Sequence, residues 1–471
     1  MHDGERRASL WGKVYVGLVN PILNGDAYRG LHHRLRELRL EEDLSGEKVR
    51  EKQWQRLRNL LEHAYDSTPY YRRRLEEFGV KPSDVQSFDD LRKIPILSRE
   101  DIRENFEELW SRRYARESLR SAATGGTTDT PVPLLRSADC LKDKLAIQTQ
   151  LDSWANMWPG DKIFSLWGAQ QDFPANPTFR WRFYSRYLMR RVTVPTSLLK
   201  SEILESYRVL LNEFRPKIIY AYPTPLALFC EYLQDCGRSF HRPVSAICTA
   251  EPLLAQQREV IENTLGCQVF EHYGTRDFGM VGGECEGHQG MHLHPSGVYV
   301  EFAPIQGAEI DGLHEMLVTD LLNYGMPLIR YKINDCAILA TEPCKCGRGF
   351  PMVKKIVGRT TDNFYLPDGS VVPGVALTNR VIQVCPGLRK VQVIQHTTSD
   401  FHIRYVPGPD FSKSDLELLA KKLRVFFPDP VQWSFEEVTQ IERERSGKTR
   451  FCISYVQNGS KQLANRSELV Q

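Results

Sequence analysis

One short stretch of the chain combines small and hydroxylated residues, a composition that can bind phosphate. It reads Thr124-Gly125-Gly126-Thr127-Thr128-Asp129-Thr130-Pro131. Paired glycines let backbone N–H groups approach a phosphate closely, and threonine hydroxyls add donors to its oxygens. A surface turn is the alternative, because no Gly-Lys-Ser/Thr sequence closes the stretch as in a Walker loop. A second stretch, Ser446-Gly447-Lys448-Thr449, resembles a Walker ending, but Glu442 stands where that motif needs its first glycine.

Thiols and imidazoles gather in two further segments. The first holds Cys285, His288, His292 and His294, and the second is Cys344-Lys345-Cys346. Thiolate and imidazole suit tetrahedral zinc, and a closed site with four protein ligands would be structural. The spacing Cys-x-Cys is less diagnostic than Cys-x-x-Cys, so ordinary free thiols are the alternative.

Three apolar runs between Pro216 and Tyr273 alternate with amphipathic stretches, which is typical of parallel βα units. The predicted strands are Lys217 to Ala221, Ser245 to Thr249 and Gln268 to His272, with helices over about 224–236 and 253–265. Each strand runs into polar or turn-forming residues, which are Tyr222 to Pro225, Ala250-Glu251-Pro252 and Tyr273-Gly274-Thr275-Arg276-Asp277. Because ligands bind beyond the carboxyl ends of parallel strands, this pattern predicts a cleft at that edge.

The elements that must position these residues belong to a long globular chain. Its 471 residues favour about three domains. A mean hydropathy of −0.41 without an 18-residue apolar run excludes a transmembrane segment. The net charge is only +3, so the overall electrostatic field of the protein does not indicate a nucleic-acid partner. The apolar segment Leu10 to Leu23 is interrupted by Lys13 and lacks a cleavage pattern, so it does not resemble an export signal. Eleven cysteines, an odd number, in a chain without such a signal indicate reduced thiols and predict a cytoplasmic location.

The periodicity predicts helices over about 30–110, with Ser98 as an N-cap and Asp101 completing a capping box. A boundary is predicted near Gly358-Arg359. After it come strand, hairpin, helix and strand, at Val391 to Gln395, Phe401 to Val406, Leu416 to Phe427 and Phe451 to Tyr455. The basic and aromatic run Arg180 to Arg191 would present Arg182, Arg186 and Arg190 on one helix face. That face suits a phosphate-bearing partner, such as RNA, an anionic membrane or coenzyme A, or it is simply solvated.

The order of these motifs resembles the adenylate-forming enzymes, and within them the phenylacetate-CoA ligase branch with its capsular-polysaccharide-associated relatives. The Thr/Gly-rich loop, the Tyr-Gly-Thr-x-Asp turn and Ser446-Gly447-Lys448 occur in the family's order. Between them lie Pro327-Leu328-Ile329-Arg330-Tyr331-Lys332 with Asp335, Cys344-Lys345-Cys346-Gly347-Arg348 and Gly358-Arg359. The segment Ala64 to Arg72 and the segment Leu91 to Arg99 are also similar to that branch, so the match covers roughly residues 55–455.

The resemblance implies an activity and a set of roles. These enzymes join a carboxylate to the α-phosphate of ATP and then pass the acyl group to a thiol, usually that of coenzyme A. Lys448 would bridge the carboxylate and the α-phosphate, and Asp277 would hold Mg²⁺. Thr275 would contact a phosphate oxygen together with the loop Thr124, Gly125, Gly126, Thr127 and Thr128. Glu251, Tyr273 and Gly274 would line the adenine slot, and Asp335 would accept hydrogen bonds from the ribose. Arg359 would open the hinge to a mobile lid, with Thr361 as its pivot.

The resemblance also bears on the metal ligands and the domains. Some members of the branch carry zinc at similar positions, which implies Cys285, His292, Cys344 and Cys346 as ligands, with His288 as a substitute for His292. The implied fold class is α/β, with a large multi-layer N-terminal domain of parallel βα units over residues 1–358 and a small α+β lid over 359–471.

The function hypothesis is therefore an ATP-dependent acid-CoA ligase that acts on a small carboxylic acid. A homodimer is left open. One alternative is transfer of the acyl group to an amine, a hydroxyl or a carrier protein in polysaccharide or secondary metabolism. Another is a nucleotide-binding relative without turnover, since Asp129-Thr130 replaces the family's usual Gly-Lys. The sequence leaves open the identity of the acid.

Overall fold

The computed structural model describes residues 30–123, 132–167, 184–196, 199–304, 312–359, 363–367, 371–373, 387–408, 411–427, 430–441 and 451–456. The α-helices are α1 Leu31–Glu42, α2 Gly46–Ser67, α3 Pro69–Glu77, α4 Arg99–Glu104, α5 Phe106–Leu109, α6 Ala138–Trp154, α7 Ser201–Phe214, α8 Pro223–Asp235, α9 Ala255–Leu265 and α10 Lys413–Phe426. Single 3₁₀ turns lie at Pro82–Asp84, Asp89–Lys93 and Arg116–Ser118.

The strands, in chain order, are β1 Arg120–Ala123, β2 Pro133–Arg136, β3 Ile163–Leu166, β4 Arg191–Val194, β5 Ile218–Ala221, β6 Ser245–Thr249, β7 Gln268–Thr275, β8 Gly279–Glu284, β9 Met291–Leu293, β10 Val298–Pro304, β11 Leu313–Asp320, β12 Tyr331–Leu339, β13 Met352–Arg359, β14 Asn363–Tyr365, β15 Val371–Pro373, β16 Leu388–Gln395, β17 Asp400–Pro407, β18 Gln432–Glu437 and β19 Cys452–Ser454.

Eleven strands form the main sheet, in the order β10-β11-β12-β13-β9-β8-β7-β6-β5-β3-β4. Strands β4, β3, β5, β6 and β7 pair in parallel, whereas β7, β8 and β9 pair antiparallel. The parallel strands are apolar on both faces because both faces are covered. One face packs against helices α7, α8 and α9 through residues such as Phe164, Ile219 and Val269. The opposite face carries Tyr220, Ile247 and Phe270.

The chain divides into two compact units. The first comprises residues 1–303, 316–333 and 338–356, and the second comprises 304–315, 334–337 and 357–471. The second unit contains a four-stranded sheet in the order β18-β17-β16-β19, and helix α10 follows β17 in the chain. Its core includes Phe401 and Phe427, whose ring centroids lie 4.7 Å apart. The predicted α/β class with a smaller C-terminal α+β part is confirmed, whereas the division at Gly358-Arg359 stays a prediction.

Three expectations from the local sequence can be compared with the structure. Ser98 Oγ accepts a hydrogen bond from the Asp101 backbone N–H, and the Asp101 carboxylate accepts one from the Ser98 N–H, as the predicted capping box requires. A continuous helix through Arg190 does not form. The described part of that run has one π-helical turn at Tyr184–Leu188, after which Arg190 has φ +50° and β4 begins. Among the described helices, none has the length and apolar character that a membrane span requires.

Candidate active site and metal centre

The carboxyl ends of β5, β6 and β7 meet at one edge of the sheet, as the sequence predicted. The parallel register pairs Tyr220 with Ile247 and Thr249 with His272. After β6, Ala250 adopts φ +70° and the chain turns into Glu251. The Glu251 carboxylate accepts a hydrogen bond of 3.4 Å from the backbone N–H of Thr224 in the first turn of α8. The polar segments that follow β5 and β6 are therefore in direct contact.

Strand β7 is longer than the sequence predicted. It continues through Tyr273, Gly274 and Thr275 and turns back into β8 as a hairpin, in which Gly274 pairs with Met280. The register shifts between Tyr273 and Gly274. A side chain at position 274 would be crowded, because a Cβ there would lie 2.6 Å from the Met280 sulfur and 3.0 Å from the Gly279 carbonyl oxygen. The expected turn thus shrinks to residues 276–278, and Asp277 lies within it.

Two cations from outside the hairpin hold this turn. Arg136 donates to the Arg276 carbonyl oxygen and, at 3.2 Å, to that of Asp277. Lys144 of α6 donates to the Phe278 carbonyl oxygen at 2.7 Å and to the Asp320 carboxylate at 2.6 Å. The Asp277 side chain is buried at the turn. Two side chains from outside the hairpin thus hold the turn that carries the Asp277 carboxylate. A carboxylate oxygen is a ligand that suits a hard ion such as Mg²⁺.

Thr275 already has a role within the turn, since its hydroxyl oxygen accepts a 3.1 Å hydrogen bond from the Phe278 N–H. The hydroxyl hydrogen is left to donate elsewhere, which is compatible with the predicted phosphate contact.

One further carboxylate lies on the β6–β7 side of this edge. Glu271 is half-buried and accepts a hydrogen bond of 3.1 Å from the Leu253 N–H. Burial raises the pKa of Glu271 to about 7, partly offset by that hydrogen bond. Burial also lowers the pKa of the neighbouring Lys355. Both groups line a surface pocket of about 380 Å³ together with Arg258 and Lys354.

The other predicted site residues are distributed differently. Thr124 to Thr128, Thr361 and Lys448 lie outside the described residues. Asp335 is half-buried in β12 and belongs to the second unit, as does Arg359, the last residue of β13. In the first unit, Glu251 and the hairpin from Tyr273 to Asp277 thus lie at the carboxyl ends of the neighbouring strands β6 and β7. The roles assigned to the whole set stay predictions.

Four sulfur and nitrogen donors converge at a second place in the first unit. The ligand atoms of Cys285, His292, Cys344 and Cys346 all lie within 4.8 Å of one another. The Cys285 and Cys344 sulfurs are 3.5 Å apart, and the Cys346 sulfur lies 3.3 Å from His292 Nε2. Tetrahedral zinc with bonds of about 2.3 Å to sulfur would place two sulfur ligands about 3.8 Å apart. The donor set and the spacing therefore fit zinc.

The surroundings of this cluster fit a metal as well. His292 Nδ1 lies 3.3 Å from the Phe350 carbonyl oxygen, which leaves Nε2 directed at the cluster. Gly287 allows the sulfurs to approach, since a Cβ there would lie 3.1 Å from the Cys344 sulfur. His288, the alternative ligand, lies elsewhere, with Nδ1 3.6 Å from a Glu284 carboxylate oxygen and its ring against Phe270. His294 contacts Gln150 instead.

Sequence reasoning missed Arg136, Lys144 and the buried pair Asp152 and His272. Lys144 resembles any lysine of an amphipathic helix, and its partner Asp320 is 176 residues away. His272 did carry a signal, because a histidine at the carboxyl end of a buried strand is an unusual core residue.

This chain is similar to known proteins both in sequence and in fold. A family model described as the CapK C-terminal domain matches residues 364–455. The chain is 28% identical over 393 residues to a phenylacetate-coenzyme A ligase of Thermus thermophilus, with 81% of this chain and 87% of that protein covered. It is 23% identical over 373 residues to Protein CapK of Staphylococcus aureus, covering 78% of this chain and 81% of that protein.

The fold also matches a crystal structure of a 2-hydroxyisobutyryl-CoA ligase in its postadenylation state. The TM-score is 0.68 at 16% identity, over 91% of this chain and 93% of that one. The large sheet unit and the small C-terminal unit are thus those of the adenylate-forming superfamily. Within it, the chain is similar to the phenylacetate-CoA ligase-like branch, which includes the CapK relatives.

Proposed function

We propose that this protein activates a carboxylic acid with ATP and then transfers the acyl group to coenzyme A. A carboxylate oxygen attacks the α-phosphorus of ATP and pyrophosphate leaves. The thiol sulfur then attacks the acyl carbon of the adenylate, and AMP leaves. The observation that carries this proposal is the hairpin from Tyr273 to Asp277, which Lys144 contacts and which lies at the end of β7, on the carboxyl edge of the parallel strands, with Glu251 after the neighbouring strand β6.

In this proposal, a few individual residues stabilise the negative charge that develops during adenylation. Lys448 contacts both the carboxylate and the α-phosphate, where two anions must approach each other. Asp277 would hold Mg²⁺, and that ion would supply positive charge near the leaving pyrophosphate. Thr275 and the loop from Thr124 to Thr128 donate hydrogen bonds to phosphate oxygens.

The remaining assignments position the nucleotide and the lid. Glu251, Tyr273 and Gly274 line the adenine slot, and Asp335 accepts hydrogen bonds from the ribose hydroxyls. Residues 359–471 form a lid that turns at Arg359 and Thr361 between the two half-reactions. Cys285, His292, Cys344 and Cys346 would hold zinc in a structural role, because four protein ligands would leave no open position.

The test is exchange of labelled pyrophosphate into ATP, measured with purified protein, Mg²⁺ and single acids. Aryl, arylacetic, fatty and amino acids form the panel. The proposal predicts exchange that depends on both the acid and Mg²⁺. Exchange with no acid in the panel would favour a nucleotide-binding relative without turnover.

A second candidate is transfer of the acyl group to an acceptor other than coenzyme A. It is favoured by the match of residues 364–455 to the CapK C-terminal domain. Once an acid that supports exchange is known, AMP release with and without coenzyme A separates the two. Acceleration by coenzyme A with formation of the thioester supports the ligase, and unchanged AMP release supports another acceptor.

A further inference from the structure

A buried polar pair lies on the sheet face opposite helices α7, α8 and α9. Asp152 is near the end of α6, and His272 is on β7 directly before Tyr273. The side chains are almost fully buried, with His272 Nδ1 3.5 Å from Asp152 Oδ1. Neither ring nitrogen of His272 nor Asp152 Oδ1 has a hydrogen-bond partner among the described residues. Buried polar atoms are normally satisfied, so this pair calls for a ligand or water.

The pair faces an apolar and aromatic surface. Tyr220, Ile247 and Phe270 form one cross-strand row, and His272 lies one step nearer the carboxyl edge, beside Thr249. Trp167 packs against Tyr222 at 4.6 Å and against Tyr220 at 5.6 Å between ring centroids.

The chain makes room for the imidazole at this level of the sheet. Gly283 pairs with His272 across the β7–β8 ladder, and a Cβ at position 283 would lie 2.9 Å from His272 Cδ2. His272 therefore lies on the same sheet face as Tyr220 and Phe270, toward the edge where parallel sheets bind ligands.

The charge states of the pair favour a neutral partner that both donates and accepts. Burial lowers the pKa of His272 to about 4, so its imidazole is neutral at pH 7 and offers one N–H and one lone pair. Burial raises the pKa of Asp152 to about 7, an effect that the charge of Arg191 opposes. A hydroxyl group matches this combination, whereas an ammonium group would lose more hydration on entering so apolar a place.

We propose that Asp152 and His272 are specificity-determining residues that recognise a hydroxyl group on an aryl acid substrate, whose ring packs against Trp167, Tyr220 and Tyr222. This inference rests on the proposed function, and it adds the class of acid. An unsubstituted acid would fill the same apolar surface and leave the pair unsatisfied. The hydroxyl therefore raises specificity and is not required for the chemistry.

The experiment compares kcat/KM for pyrophosphate exchange between aryl acids and their ring-hydroxylated counterparts. Amino-substituted aryl acids and a matched pair of aliphatic acids are included. In the unaltered protein we expect at least a ten-fold preference for one hydroxylated aryl acid over its unsubstituted counterpart. His272→Phe should remove the preference, with no change in the KM for ATP. Asp152→Asn, which keeps the shape of the side chain, should reduce it and decides the matter if His272→Phe does not fold.

His241→Phe is the matched control. His241 contacts the Pro216 carbonyl oxygen at the opposite end of the strands, so the preference should survive there. Equal use of hydroxylated and unsubstituted acids, or a preference unaffected by both variants, would overturn the inference and leave the proposed function standing. A preference for amino-substituted or aliphatic hydroxy acids would overturn the assigned class. Absence of exchange with every acid would remove the proposed function itself.

Discussion

The ion pair between Lys144 and Asp320 leads to a prediction about the hairpin that carries Asp277. The Asp320 side chain is 0% exposed and that of Lys144 is 10% exposed. Lys144→Met removes the ammonium and leaves a buried carboxylate with the Leu322 N–H, 3.1 Å away, as its described hydrogen-bond donor. Breaking a buried pair in this way costs about 3–5 kcal/mol. For the first unit, which has about 340 residues, that corresponds to a fall of about 4–7 °C in its melting transition.

The same helix provides a control. Lys142 pairs with Asp139 at 3.0 Å, and the Asp139 side chain is 86% exposed. Lys142→Met should therefore change stability by less than about 1 kcal/mol. Differential scanning calorimetry measures both variants, since a chain with two units need not unfold in one step.

A double variant separates charge from packing. Lys144→Met with Asp320→Asn buries no unpaired charge, so it should be more stable than Lys144→Met alone by about 2 kcal/mol. Loss of the contact to the Phe278 carbonyl oxygen should also raise the Mg²⁺ concentration needed for pyrophosphate exchange. If Lys144→Met melts like Lys142→Met, or if the two changes are additive, the bracing described for this hairpin is wrong.

Three further predictions concern the metal centre, the half-buried carboxyl group of Glu271 and the lid. Purified protein should contain about one equivalent of zinc. Cys344→Ser should abolish zinc binding and lower the melting temperature by several degrees. Cys236→Ser, at a free cysteine away from the cluster, should change neither the zinc content nor the melting temperature. The pKa of Glu271 is raised from 4.5 to about 7, so its contribution to stability is lost as pH rises through that window. Urea unfolding should therefore show that the free energy of unfolding of Glu271→Gln, relative to the unaltered protein, is about 2–4 kcal/mol higher at pH 8 than at pH 5. The same relative free energy at both pH values would contradict the raised pKa of Glu271. Lys448→Ala should abolish adenylation but retain thioester formation from a supplied acyl adenylate, and equal loss of both half-reactions in a folded variant would refute the role of Lys448.

Sequence predicted the elements whose signals are local. Strand β6 begins and ends at the predicted residues, because a buried apolar run is bounded there by Val244 after Pro243 and by the turn at Ala250. The capping box of Ser98 is another local signal. Strand β7 was predicted three residues too short, because its last part is stabilised by pairing with β8 and not by its own composition.

The candidate sites depend on contacts between distant residues. Cys285 and His292 meet Cys344 and Cys346 because β9 pairs with β13, with His292 opposite Met352. The spacing of the cysteines suggested a metal, but only this pairing distinguishes His292 from His288. The same limit applies to Asp152 and His272, which are 120 residues apart in sequence and meet only because α6 covers the sheet.

The central claim is that the acid is activated as an adenylate, and an oxygen label tests it most directly. An acid that supports exchange is labelled with ¹⁸O in both carboxylate oxygens and incubated with ATP, Mg²⁺ and coenzyme A under single-turnover conditions. Attack of the carboxylate on the α-phosphorus followed by thiolysis leaves one carboxylate oxygen on the phosphate of AMP. Mass spectrometry should therefore find AMP that carries one ¹⁸O, together with unlabelled pyrophosphate. Formation of ADP with ¹⁸O in inorganic phosphate would contradict the account.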